Sequence, residues 1–203
     1  MNRKQHWETV YETKADQEVG WFQENPEISL KLVEKYAPVK DASFIDIGGG
    51  NSFLSKHLFN QGFSNLTILD ISAKALERSK SRFVINTEGL NWIESNVLDF
   101  STESPYKTWH DRAVFHFLTS EYEIDKYADV AAKNIVSGGF LILATFSLSG
   151  PENCSGLPIS QYSEKKFCCV FNDKFDLIEC FEDVHTTPSG NPQNFIWAVF
   201  KRK

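Results

Sequence analysis

Two carboxylates and a run of glycines between them carry the clearest chemistry in this sequence. Phe44-Ile45-Asp46-Ile47-Gly48-Gly49-Gly50-Asn51-Ser52 is an apolar run that ends in an acid and opens into glycine. Leu69-Asp70-Ile71-Ser72 follows about two dozen residues later and closes the next apolar run. Glycines let a backbone approach a ligand closely, and amides at a helix N-terminus attract negative charge. An acid at the end of the second strand is placed to accept hydrogen bonds from two ribose hydroxyls. The chemistry implied is the holding of a nucleoside cofactor.

Which nucleoside is narrowed by Phe53. A dinucleotide fingerprint runs Gly-x-Gly-x-x-Gly, and its third glycine allows helix and strand to close around the pyrophosphate. Gly48 and Gly50 fit that pattern, but Phe53 fills the third slot. Asp46, just before the glycines, would repel a pyrophosphate. It suits the ammonium of an amino acid, with the glycine amides facing the carboxylate. The site therefore reads as one for S-adenosylmethionine (SAM), and a nicotinamide oxidoreductase is disfavoured.

On these residues the chain resembles the class I SAM-dependent methyltransferases, from Trp7 to the C-terminus. Asp46, Gly48, Gly49, Gly50 and Asn51 resemble the family's first motif, with Ser52 where a third glycine is frequent. Asp70 resembles the ribose-binding acid and Ile71 the apolar residue against adenine. Asn96-Val97 resembles the pair that reads the adenine edge, with Asn in place of the usual Asp; its amide oxygen can still accept from an exocyclic amine.

The second informative segment is Trp109-His110-Asp111-Arg112-Ala113-Val114-Phe115-His116-Phe117-Leu118. Asp111-Arg112 resembles a step found in two methyltransferase groups: the thiopurine methyltransferase-like enzymes and the methyltransferase-like enzymes of protein lysine. Trp21-Phe22-Gln23 resembles an element of the second group and adds Trp21 to the cofactor set. Methyl transfer is an in-line displacement, so positioning supplies much of the catalysis. Asp111, Arg112 and His116 are the catalytic candidates, and Asp111 is also a candidate at the cofactor. For Asp111 or His116 the role would be base toward a protonated amine. The competing readings are a core histidine for His116, a structural ion pair for Arg112 and a solvent-exposed His110. Trp7, Tyr11 and Trp21 are either core or a cap on the sulfonium through cation–π attraction. His185 and Gln193 flank the last hairpin, as turn support or at the acceptor.

Elements must position these groups. Apolar spacing gives a helix over 3–16, and Asn25-Pro26 reads as cap and first position of a second helix ending near Pro38. Residues 1–40 are expected to form a helical lid over a catalytic sheet domain, 41–203, within one domain. Strands are expected at 43–47, 66–69, 90–93, 106–109 and 140–146. Helices are expected at 53–61, 72–83 and 121–136, with Gly138-Gly139 ending the last. Strand-like runs at 175–184 and 194–200 flank Pro188-Ser189-Gly190-Asn191-Pro192, a turn, and should pair antiparallel. Residues 150–156 are read as a pocket loop. The fold class is α/β: a Rossmann-like doubly wound sheet of seven strands, mostly parallel, with a C-terminal antiparallel hairpin.

Composition excludes several classes. The 203 residues are 41% hydrophobic and 24% charged, ordinary for a globular domain. No apolar run spans a bilayer and the N-terminus shows no secretory pattern, so a cytoplasmic protein without a membrane partner is expected. A net charge of −6 argues against nucleic acid. Cys154, Cys168, Cys169 and Cys180 lack metal-ligand spacing, so no metal is expected. No Asn/Asp-Pro-Pro-Tyr/Phe step is present, which disfavours nucleobase-amine methylation. The expected activity is methyl transfer from SAM to a small-molecule acceptor. The alternatives are a protein lysine N-methyltransferase and a non-catalytic SAM-binding module.

Overall fold

The computed structural model describes residues 2–83 and 87–203. Seven strands form one sheet: β1 (Phe44–Ile47), β2 (Leu66–Asp70), β3 (Leu90–Glu94), β4 (Tyr106–Arg112), β5 (Ile135–Phe146), β8 (Phe175–Thr186) and β9 (Pro192–Arg202). The order is β3-β2-β1-β4-β5-β9-β8, with β9 antiparallel to both neighbours and the first five parallel. Helices α1 (Arg3–Thr13), α2 (Glu27–Tyr36), α3 (Leu54–Asn60), α4 (Ala73–Ser81), α5 (Glu121–Asn134) and α6 (Glu164–Phe171) cover it. A small hairpin, β6 (Asn153–Cys154) and β7 (Leu157–Pro158), follows β5.

Both sheet faces are buried, so strand residues alternate between two cores rather than between core and water. Leu141 and Leu143 of β5 join Ala198 and Phe200 of β9 against α5 and α6. Ile142 and Ala144 join Trp197 and Val199 against α2 and α3. This is the expected α/β architecture with its C-terminal hairpin.

Three expected boundaries are corrected. Helix α5 stops at Asn134, and Ile135 is already extended and pairs with Tyr106. Gly138 and Gly139 lie inside β5, where the register against β4 shifts between Tyr106 and Thr108. A Cβ on Gly139 would sit 2.8 Å from the Lys107 carbonyl, so the glycine permits the bulge instead of ending a helix. Helix α2 starts at Glu27 with Pro26, not Asn25, at the cap and no side-chain cap bond. The terminal strands are longer than expected, so His185 lies within β8.

The N-terminal segment is bound over the ends of the strands. Glu8 of α1 accepts from the backbone of Ala73 and Lys74 and from the Ser72 hydroxyl, adding a carboxylate to the N-terminus of α4. Arg3 grips Glu123 with two bonds, at 2.5 and 3.0 Å, and donates to the Phe117 carbonyl at 3.0 Å. Arg78 donates to Lys14 O, and Arg82 to Asp16 and Asn51.

Candidate active site

The loop after β1 turns at Gly48, whose φ of +67° is the left-handed region that favours glycine. A Cβ there would also lie 2.2 Å from Val114 Cγ2. Gly50 leaves no room for a side chain either: its Cβ would meet Ala75 Cβ at 2.6 Å and Asp70 Oδ2 at 2.7 Å. The loop therefore lies directly against β2's terminal acid. Gly50 N donates to Asp70 Oδ2 at 3.1 Å and Ser72 N to Oδ1 at 2.9 Å. Burial pushes the Asp70 carboxyl up to about 6 against these amides. Phe53 packs beside Phe22 and carries the Arg82 guanidinium over its ring at 4.1 Å.

One pocket runs past Asp70, Ile71, Asn96 and Val97, then beneath Trp7, Tyr11 and Trp21. Its far wall holds Arg112, Phe146, Cys154, Gln193 and Phe195. An adjoining cavity lies between Gly48, Asp46, Asn51 and Arg112, floored by Ser29 and His110. Among the described residues, Asp46 Oδ2, Asn51 Nδ2 and both Nε and Nη2 of Arg112 are buried without a hydrogen-bond partner. Such atoms cost free energy unless something pairs them. One bare acceptor and three bare donors around a glycine loop complement an ammonium and a carboxylate on one carbon. The residues present therefore fit the amino-acid end of SAM.

Arg112 reaches this place from the end of β4. Its Nη1 donates to Trp21 O at 2.9 Å, and its guanidinium lies 5.0 Å from the Phe195 ring centroid. Burial lowers its pKa to about 10, against nearby negative groups that raise it.

Two other candidates face elsewhere. Asp111 does not line the pocket; it is fully buried and accepts from Tyr127 Oη at 2.6 Å and Val114 N at 2.9 Å. Burial raises its carboxyl to about 6 while these donors oppose the rise. It braces the turn at Ala113, a residue with φ of 74°. His116 is also buried and outside the lining, packed on Phe146 and Phe117, with neither ring nitrogen bonded among the described residues. Burial first, and Arg112 second, push it down to about 3, so it is neutral. The structure thus groups Arg112 with the glycine loop and leaves Asp111 and His116 behind it. Asn96 lines the pocket, and its Oδ1 accepts from Leu98 N at 3.1 Å.

His110 is not solvent-exposed, as one reading had it. It is 2% exposed, and its Nδ1 is 2.7 Å from Asp46 Oδ1. Its Nε2 is 3.0 Å from Ser29 Oγ. Sequence reasoning missed Ser29 altogether. Only the pairing of β1 with β4, which sets Asp46 opposite His110, brings the group together. His185 is buried within β8 and bonds to the Gly20 carbonyl at 2.8 Å, pinning the N-terminal segment.

No protein-family model matches the chain. Its sequence is 35% identical over 112 residues to EEF1A lysine methyltransferase 2 of Mus musculus, covering 51% of this chain and 45% of that protein. The Homo sapiens protein of the same name is 35% identical over 108 residues, covering 49% and 45%. The chain thus spans about half the length of the curated relatives it matches. Among solved structures, a SAM-dependent methyltransferase from Anabaena variabilis superposes with a TM-score of 0.76 at 16% identity, over 100% of this chain and 96% of that one. The N-methyltransferase NodS of Bradyrhizobium japonicum, solved with S-adenosyl-L-homocysteine, gives 0.69 at 15% identity, over 96% and 97%. The chain therefore has the fold of the class I SAM-dependent methyltransferases and, over about half its length, is similar in sequence to EEF1A lysine methyltransferase 2.

Proposed function

We propose that the chain is a SAM-dependent N-methyltransferase whose acceptor is a protein lysine. The observation that carries the cofactor half is the set of unpaired buried atoms on Asp46, Asn51 and Arg112 beside the glycine loop. Asp46 Oδ2 would accept from the cofactor's ammonium, while Arg112 and Asn51 would donate to its carboxylate. Asp70 would accept from the ribose hydroxyls, and Ile71 and Val97 would hold the adenine. When bound, SAM would supply an electrophilic methyl group to an acceptor in line with the carbon–sulfur bond, with S-adenosylhomocysteine as the leaving group.

Sequence relatives support lysine over the small molecule expected from the sequence, since those matched are named for it. A lysine must arrive as the free amine. Among the described residues, no carboxylate besides Asp70 lines this pocket, so the proton goes to solvent on entry rather than to a resident base. Burial in the pocket disfavours a bare ammonium by desolvation, and the Arg112 charge adds repulsion. Both leave the amine neutral and nucleophilic.

A second reading, a small-molecule acceptor, is favoured by one feature. The N-terminal segment is closed over the pocket through Arg3–Glu123 and Arg112–Trp21, which narrows the way in for a protein chain. Methyl-labelled SAM offered with a protein extract and, separately, with a protein-free metabolite extract separates the two. Label on lysine in a protein band supports the proposal. Label only in the metabolite fraction supports the second reading, and label in neither counts against both.

A further inference from the structure

We infer that Ser29 and His110 are positioning residues for cofactor binding: a buried hydrogen-bond relay that aims Asp46 at the cofactor's ammonium. The inference rests on the cofactor reading above. The three residues are 1%, 2% and 2% exposed for Ser29, His110 and Asp46. They come from α2, β4 and β1.

Proton bookkeeping fixes the direction of the relay. An ionised carboxylate only accepts, so His110 Nδ1 carries the hydrogen that Asp46 Oδ1 receives at 2.7 Å. In the neutral imidazole Nε2 is then bare, and the Ser29 hydroxyl, 3.0 Å away, donates to it. The carboxylate thus selects the tautomer, and Ser29, by donating to Nε2, holds the imidazole in the orientation that fixes Asp46. Phe44 stacks on the imidazole, with ring centroids 6.2 Å apart at 24°, and restricts its tilt. With Oδ1 engaged, Oδ2 is turned toward Gly49, where a Cβ would lie 2.5 Å from it. That oxygen is the one left without a partner at the cofactor loop.

A polar plug placed for packing alone would satisfy all its atoms. This relay satisfies Ser29 and His110 and leaves one acceptor bare in a cavity lined by Gly48, Asn51 and Arg112. Ser29 stands in the first turn of α2, so the relay also joins the N-terminal segment to the cofactor loop.

The test compares S-adenosylhomocysteine with 5′-methylthioadenosine, which keeps the adenosine thioether and lacks the amino-acid end. Calorimetric affinities are measured on wild type, Ser29→Ala, His110→Asn and His110→Leu, with thermal melts of each. His110→Leu should weaken S-adenosylhomocysteine about tenfold, the scale of a charge-assisted hydrogen bond, and methylthioadenosine less than about twofold. Ser29→Ala should show the same selectivity at about threefold. His110→Asn, whose amide can replace Nδ1–H, should retain most of the affinity. Equal weakening of both ligands, or no weakening in folded His110→Leu or Ser29→Ala, overturns the relay. Should His110→Leu not fold, Ser29→Ala and His110→Asn decide the matter. Wild type that binds neither ligand overturns the cofactor reading, and the relay with it.

Discussion

Arg112→Met sets function against stability. In the ligand-free protein the guanidinium keeps one hydrogen bond, to Trp21 O at 2.9 Å, while its buried Nε and Nη2 have no partner among the described residues. Its fall from the ordinary arginine range to about 10, driven by burial, corresponds to roughly 3 kcal/mol against the charged form in the fold. Solvent reaching the pocket screens part of that. Methionine fills the aliphatic volume and removes the buried charge. It forfeits the bond to Trp21, worth about 1.5–3 kcal/mol, and the contact with Phe195, worth about 0.5–1 kcal/mol. The balance lies within about 2 kcal/mol of neutral, a Tm change under roughly 8 °C for a chain of this size. Ligand binding should behave quite differently. Losing the donors to the cofactor carboxylate costs roughly 10–100-fold in affinity for S-adenosylhomocysteine. Differential scanning fluorimetry with and without S-adenosylhomocysteine reads both quantities on one sample. A strongly destabilised variant with an unchanged ligand-induced shift would refute the reasoning, because the guanidinium would then be a structural tie.

Three further predictions follow from the same geometry. Asp70 holds its proton to about pH 6 in the fold, above its ordinary 3.8, so the folded state binds more protons than the unfolded chain between the two values. Its contribution to stability therefore falls as pH rises from about 4 to 6. In denaturant titrations the stability of ligand-free wild type relative to Asp70→Asn should fall by up to about 3 kcal/mol as pH rises from about 4 to 6. Gly48→Ala places a methyl 2.2 Å from Val114 Cγ2 at a φ of +67°, which should cost about 2–4 kcal/mol in urea unfolding and abolish cofactor binding. Ala113→Gly relieves a residue held at φ 74° and should stabilise by about 0.5–1 kcal/mol, measured the same way. A loss of stability would show that the Ala113 methyl matters more than its backbone.

What could be seen in the sequence follows physical range. An acid closing an apolar run, twice, with glycines after the first, is a local signal, and it pointed to the loop and to Asp70. Helix α4 was legible from Ser72, which caps it as expected through Ala75 N. The end of α5 was not, because Gly138-Gly139 has the same local chemistry as a helix stop while its role is set by the pairing of β5 with Lys107 and Tyr106. Roles after β4 depended most on tertiary structure. His110, Asp111 and Arg112 are consecutive, yet they point to Asp46, to Tyr127 and to Trp21 respectively. Alternation along a strand sends neighbours to opposite faces, and no spacing rule says which face holds the ligand.

The most direct test of the account is a calorimetric titration of S-adenosylhomocysteine into wild type and into Asp70→Ala, with NADH as the parallel ligand. The account predicts binding near ~1–100 μM by wild type, a loss of at least about tenfold in Asp70→Ala, and no binding of NADH. Absence of S-adenosylhomocysteine binding by folded wild type, or NADH binding in its place, would contradict it.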